Sequence, residues 1–234
     1  MSLRVKVSAV AIAAASCMLL APTALASTHG PVQVTGKHLK SALLPTSDFA
    51  SGYGVVFAAN SGGTLEHRSV FHLPSMSCKV FWPSIGATRG FGETAFATDL
   101  IGPKKGTIPS VLAIFSQTVY QFASTRTASA FLSQLNAKYR SCRSTSVSDT
   151  KGGTLRWAVH SQSKQRVGGH QALLVVEHLS DSKVPGPPAV TYLLWTVNGA
   201  DIYLISTAPL SNTKPAPAQS SLTLKLIARV TKLR

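Results

Sequence analysis

Cys17, Cys78 and Cys142 are the thiols of this 234-residue chain. Cys17 lies in an apolar N-terminal run. If that run is cleaved, Cys78 and Cys142 remain, and an even pair in an oxidising compartment argues for a bridge, with a catalytic thiol as the alternative for either. The histidines offer less. His67 and His72 are five positions apart and His170 and His178 eight; neither is a ligand spacing, and no cysteine or carboxylate cluster joins them. Glu66 with His67 and Glu177 with His178 are fragments of a zinc motif that needs both histidines on one helical face, whereas these pairs sit in strand-like runs. No metal site is expected. No GxSxG elbow occurs, and Asp99, Asp149 and Asp201 could serve an unmarked serine triad without anything in their spacing selecting one. Paired carboxylates for glycoside chemistry meet the same scarcity of acids. Gly52, Gly54, Gly62 and Gly63 lack phosphate-loop spacing and Gly168-Gly169 reads as a turn, so no cofactor is expected.

Arg4 and Lys6 precede a run from Val7 to Leu20 that is too short to span a membrane, and Ala24-Leu25-Ala26 supplies small-x-small cleavage chemistry. Residues 1–26 are therefore expected to be a signal peptide, giving a secreted or envelope-associated product. The rival reading takes Ala14-Ala15-Ser16-Cys17 as a lipoprotein box with Cys17 acylated; the apolar run continues through Met18, Leu19 and Leu20, which favours ordinary cleavage. No later stretch reaches the roughly 18 apolar residues of a membrane span. Removing Arg4 and Lys6 leaves 21 basic against 8 acidic residues, a net charge of +13. Such a balance favours anionic neighbours, among them phospholipid headgroups, phosphate-bearing wall polymers and acidic polysaccharides. Nucleic acid is not expected, because no reading motif is present. The basic residues are spread along the chain, so diffuse solubilising charge is the competing explanation.

Residues 27–36 read as a loose polar lead and 37–234 as one domain. Lys37–Leu44 offers a helical face stopped by Pro45, and Ser51–Gly63 reads as loop with a short strand. Leu65–Phe71 and Glu93–Leu100 alternate as half-buried strands around a loop holding Cys78 and Trp82. Val111–Phe122 is a stronger strand. Thr125–Cys142 is the clearest helix, with Ala128, Phe131, Leu132, Leu135, Tyr139 and Cys142 on one face. Strands follow at Thr154–His160, His170–Glu177, Tyr192–Val197 and Asp201–Thr207, the last two joined across Asn198-Gly199 as a hairpin turn. After Pro209–Pro217, a terminal helix carries Leu222, Leu226, Val230 and Leu233 on one side, opposite Lys225, Arg229 and Lys232. Docking by its stripe onto the sheet is preferred to a membrane-surface role. Trp82, Trp157 and Trp195 are expected in the core or a pocket wall. The sum is an α+β domain, a mainly antiparallel sheet flanked by two long helices.

Ser116-Gln117, Val119, Phe122, Ser124, Ala128, Phe131-Leu132, Tyr139 and Cys142, with Leu43-Leu44-Pro45, Asp48 and Cys78, form a pattern that resembles the extracellular sensor domain of mycobacterial PknH-type kinases. That family also occurs as stand-alone secreted proteins and lipoproteins of actinobacteria. The resemblance spans Lys37 to the C-terminus. It implies an antiparallel sheet flanked by helices, a cleft for an extracellular ligand, and no catalysis. Cys78 and Cys142 match a disulfide of the pattern; the second cysteine pair common in the family's C-terminal half is missing here. No ligand residue can be carried over, and no kinase motif occurs, so a signal would have to pass to another protein. The expected function is a non-enzymatic exported sensor-like domain at the cell envelope with a small or polymeric, potentially anionic ligand. The alternatives are an extracellular hydrolase with an unmarked Ser or carboxylate site, and a basic protein held on anionic wall polymers.

Overall fold

Apolar side chains on both faces of one sheet decide the architecture, because each face must be covered. The computed structural model describes residues 34–62, 73–86, 91–106, 113–148, 153–184, 186–209 and 218–234, all within one compact unit, Pro31–Arg234. The strands are β1 (Tyr53–Gly62), β2 (Ala95–Pro103), β3 (Ala113–Gln121), β4 (Ser144–Ser148), β5 (Thr154–Val167), β6 (His170–Asp181), β7 (Ala189–Asn198) and β8 (Asp201–Pro209). They form one antiparallel sheet in the order β1-β2-β3-β8-β7-β6-β5-β4.

Successive side chains point to opposite faces of a strand, and each face has its own helical cover. One face carries Phe96, Tyr120, Leu173, Val175, Trp195, Ile202 and Leu204 and is packed by α2 (Cys78–Gly86) and α3 (Thr125–Ser141). The other carries Ala97, Ile101, Phe115, Val119, Tyr203 and Ile205 and is packed by α1 (Gly36–Ala42) and α4 (Gln219–Thr231). The run Ile202-Tyr203-Leu204-Ile205 is buried throughout because β8 lies in the middle of this sandwich. Four α-helices among the described residues thus flank the sheet, one more than the periodicity predicts, the addition being α2.

Local chemistry places the ends. Thr35 caps α1 by accepting from the His38 N–H at 3.3 Å, and the Val34 N–H donates to Gln121 Oε1 at 3.0 Å, so the chain is tied to the sheet from Val34 onward. Gln117, fully buried at mid-sheet, accepts from the Leu44 N–H and donates to the Leu44 carbonyl, both at 2.8 Å, which clamps the end of α1 to β3. Asp48 meets Lys225 of α4 at 2.7 Å.

Several sequence expectations need correction. Cys78 and Trp82 lie on a helix, α2, and not in a loop. The Gly-rich stretch forms a ten-residue edge strand, β1. The hairpin turn is shifted by one residue: Asn198 pairs with Asp201, leaving Gly199 (φ 59°) and Ala200 as the two turn positions. The strand expected at 65–71, and residues 1–26, lie outside the described residues.

Candidate functional site

The helix α3 organises three features on one face of the sheet. Ser124 caps it, accepting from the Thr127 N–H at 3.1 Å. Its apolar side buries Ala128, Phe131, Leu132, Leu135 and Tyr139, and Cys142 stands at its C-cap. There Cys142 is bonded to Cys78, the first residue of α2, with the Cα atoms 5.3 Å apart. Around this bridge the rings of Phe81 and Trp82 meet Tyr139 edge-on, with centroids 5.1 and 5.8 Å away, and Lys138 Nζ donates to the Met76 carbonyl.

One turn back along α3, a groove of about 440 Å³ opens between the helix and the β5–β6 hairpin. Leu132, Ser133 and Asn136 form the helical wall, while Lys164, Arg166, Gln171 and Leu173 belong to the hairpin. The register puts the hairpin side chains on the same sheet face, since Lys164 pairs with Leu173 and Arg166 with Gln171. An Arg166 N–H donates to the Gly169 carbonyl at 2.8 Å, which steadies the guanidinium at the hairpin tip. The tip itself needs glycine: Gly168 and Gly169 have φ of 56° and 85°, the left-handed region. Below the groove, Gln162 Nε2 donates to the backbone oxygen of Asn136 at 2.7 Å and to its Oδ1 at 2.6 Å. With Oδ1 so engaged, the Asn136 amide presents its NH₂ on the other side. The lining therefore holds two cations, the side-chain amides of Asn136 and Gln171, the Ser133 hydroxyl and no acid.

The other chemically notable group is Glu177, 9% exposed beneath α3. Burial pushes its carboxyl up to about 7, opposed more weakly by the neighbouring Tyr139 hydroxyl. Burial likewise raises Tyr139 well above the ordinary phenol range, and the Glu177 charge adds to that. Glu177 Oε1, the Tyr139 hydroxyl and the indole nitrogens of Trp82 and Trp195 are buried without a hydrogen bond of ordinary geometry to the described residues. These groups form a polar knot in the core, walled by aromatic rings.

The remaining sequence candidates are dispersed. His160 and His178 stack with ring centroids 4.6 Å apart. Asp99 is on the opposite face from α3, its carboxyl raised by burial and partly held down by Lys40. Asp201 pairs with Arg234 at 2.7 Å and accepts from the Tyr203 hydroxyl at 3.2 Å; burial raises its carboxyl against the pull of Arg234. Glu66, His67, His72 and Asp149 lie outside the described residues. Among the described residues no three His, Cys, Asp or Glu side chains gather, and none of them lines the groove. Sequence reading missed Lys164 and Arg166. Their only signal is an i, i+2 spacing in a polar stretch that continues a strand.

Comparison with known proteins follows the same lines. The family described as PknH-like extracellular domain matches residues 34–191, from the residue before the α1 cap to the start of β7. No curated protein matches the chain. Among solved structures, the extracellular domain of PknH from Mycobacterium tuberculosis superposes with a TM-score of 0.57 at 14% identity, covering 85% of this chain and 97% of that one. At that identity the likeness concerns the fold. An uncharacterised protein from Mycobacterium smegmatis gives a TM-score of 0.37 at 9% identity over 83% of this chain and 96% of that one. With two thirds of the chain matched, and the α3 and Gln117–Leu44 framework inside the matched region, this protein belongs to the PknH-like extracellular domain family.

Proposed function

We propose that this chain is a non-enzymatic, sensor-like domain at the cell envelope that binds an anionic ligand in the groove between α3 and the β5–β6 hairpin. The observation that carries this reading is the lining itself: Lys164 and Arg166 with Ser133, Asn136 and Gln171, and no carboxylate. Arg presents a planar fork suited to carboxylate or phosphate, and Lys adds a point charge beside it. The volume falls within the range of small-molecule sites. The overall charge of +15 attracts such a ligand from a distance. Leu132 and Leu173 give the groove an apolar side, suited to a ligand with an uncharged body attached to its anionic group.

The absence of catalysis in this reading follows from the same lining. Ser133 is its one hydroxyl side chain, and neither histidine nor acid shares the groove to activate it. The buried acids Glu177, Asp99 and Asp201 stand elsewhere, two of them tied into the core and one into an ion pair. Since the chain contains no kinase motif, occupancy of the groove would be read by a second protein.

Thermal-shift titration with inorganic phosphate, citrate and a uronic-acid oligosaccharide tests the proposal. A groove ligand raises the melting temperature with dose, and the double variant Lys164→Ala/Arg166→Ala abolishes the rise while its ligand-free melting temperature stays close to that of the unmodified protein. A rise that persists in the double variant rejects the groove as the site. Turnover of an ester or phosphate substrate that is lost on Ser133→Ala rejects the non-enzymatic reading.

A further inference from the structure

The edge strand β1 carries an apolar surface that no helix among the described residues covers. Val56 is 65% exposed and Phe57 54%, and both lie on the α3 face of the sheet. The β-bulge between Val55 and Phe57 is the cause. An extra residue in one strand turns two successive side chains to the same side. Phe57 pairs with Leu100, while the Val56 methyl lies over Gly102, so close that a Cβ there would meet it at 3.0 Å. Ile114, 36% exposed, extends the patch on β3, since its neighbours Ala113 and Phe115 point to the opposite core. Below it the Lys104 side chain runs across Gly54, whose Cβ would come within 3.1 Å of the stem. Lys104 and Lys105 are both exposed. The single acid of β1, β2 and β3, Asp99, points to the other face.

We propose that this open corner of the sheet, Val56, Phe57 and Ile114 with Lys104 and Lys105, docks the protein on an anionic phospholipid bilayer. Apolar side chains ringed by lysine suit an interface of acyl chains and negative headgroups. The rings and methyls enter the boundary layer while the ammonium groups stay at headgroup level. The occupant follows from charge. A second copy of a chain with net charge +15 would bring two basic patches together, which costs free energy. An anionic surface gains it. The site is separate from the groove, since β1 is one end of the sheet and β5 is next to the other.

Co-sedimentation with vesicles of phosphatidylglycerol and phosphatidylcholine, against vesicles of phosphatidylcholine alone, measures the docking. The unmodified protein partitions to the anionic vesicles and is released by salt. Removing the two most exposed apolar groups in Val56→Ser/Phe57→Ser lowers the partition coefficient by at least ~10-fold. Lys104→Ser/Lys105→Ser lowers it by a similar factor, and Lys164→Ser/Arg166→Ser, which removes the same charge from the groove, leaves most of it. Phe57→Trp keeps the patch intact and reports depth: the introduced indole is quenched by brominated acyl chains. Three results overturn the proposal. The first is that Val56→Ser/Phe57→Ser binds the anionic vesicles as the unmodified protein does; the second is that the groove variant loses as much binding as the Lys104/Lys105 variant, which means diffuse charge; the third is that the protein sediments as a dimer that Val56→Ser/Phe57→Ser dissociates without changing vesicle binding, which assigns the patch to a second copy.

Discussion

Glu177→Gln isolates the consequence of placing a carboxyl under α3. The folded protein holds this group's pKa at about 7 against an ordinary 4.5, chiefly because burial penalises the charged form. Between those values the folded chain keeps a proton that the unfolded chain has released. Stability therefore declines as pH rises through that window: the favourable contribution is fully present below about 4.5 and is lost once pH passes the folded value. At ~1.4 kcal/mol per pH unit the whole difference amounts to about 3 kcal/mol. A glutamine has the shape of the protonated acid and cannot ionise. The variant should match the unmodified protein near pH 5 and exceed it by as much as ~3 kcal/mol near pH 8. Urea unfolding at a series of pH values gives both curves, and their difference removes the parallel effects of Asp99 and Asp201, which burial also raises. A difference that stays flat from pH 5 to pH 8, or one that grows toward acid, would refute the reasoning.

Two further outcomes follow from the framework. Replacing Cys78 and Cys142 with alanine opens a loop closed across 64 positions, and the chain-entropy relation gives a loss of about 4 kcal/mol, measurable as a fall in the urea midpoint that reductant reproduces in the unmodified protein. Gln117→Ala strips both partners from the Leu44 backbone at a fully buried position and should cost about 3 kcal/mol, with calorimetry as the check; Gln117→Glu, which keeps an acceptor and loses the donor, should also destabilise because it buries a charge.

What could be read from residue order is what repeats. The helix α3 shows its apolar face at offsets of three and four, and β3, β6, β7 and β8 carry long β-branched and aromatic runs, so each is visible without tertiary context. The elements that were missed owe their form to partners. β4 is Ser-Thr-Ser-Val-Ser, a stretch with little apolar signal that becomes a strand by pairing with β5. β1 mixes glycine and alanine with a Val-Val-Phe run, and its bulge breaks the alternation that would mark it. α2 contains Pro83 and presents no polar face through Val80-Phe81-Trp82, which disguises a short helix. The groove was hidden for a related reason. Lys164 and Arg166 acquire a common direction only because the hairpin continues past His160 to Gly168, pairing residue for residue with β6. Glu177 and His178, which read together as a piece of a zinc motif, are sent to opposite faces by the same strand geometry, Glu177 into the core and His178 against His160.

That separation of faces also explains why one disulfide suffices to set the site. Asn136, Tyr139 and Cys142 follow one another at intervals of three along α3, so they share a side of the helix, and they face in turn the groove, the Glu177 knot and the bridge to α2. Fixing the last of these limits how far the first can move. The opposite wall is held independently: Leu224 of α4 lies against Gly168 on the other side of the sheet, where a Cβ would approach it to 2.4 Å, and Gln162 ties the hairpin to Asn136. A groove built between two restrained walls loses little freedom when it is filled, and affinity rises as that ordering cost falls. The helix–hairpin contact through Asn136 and Gln162 supplies the restraint on the groove side, and the disulfide supplies it at the end of the helix where the core is polar.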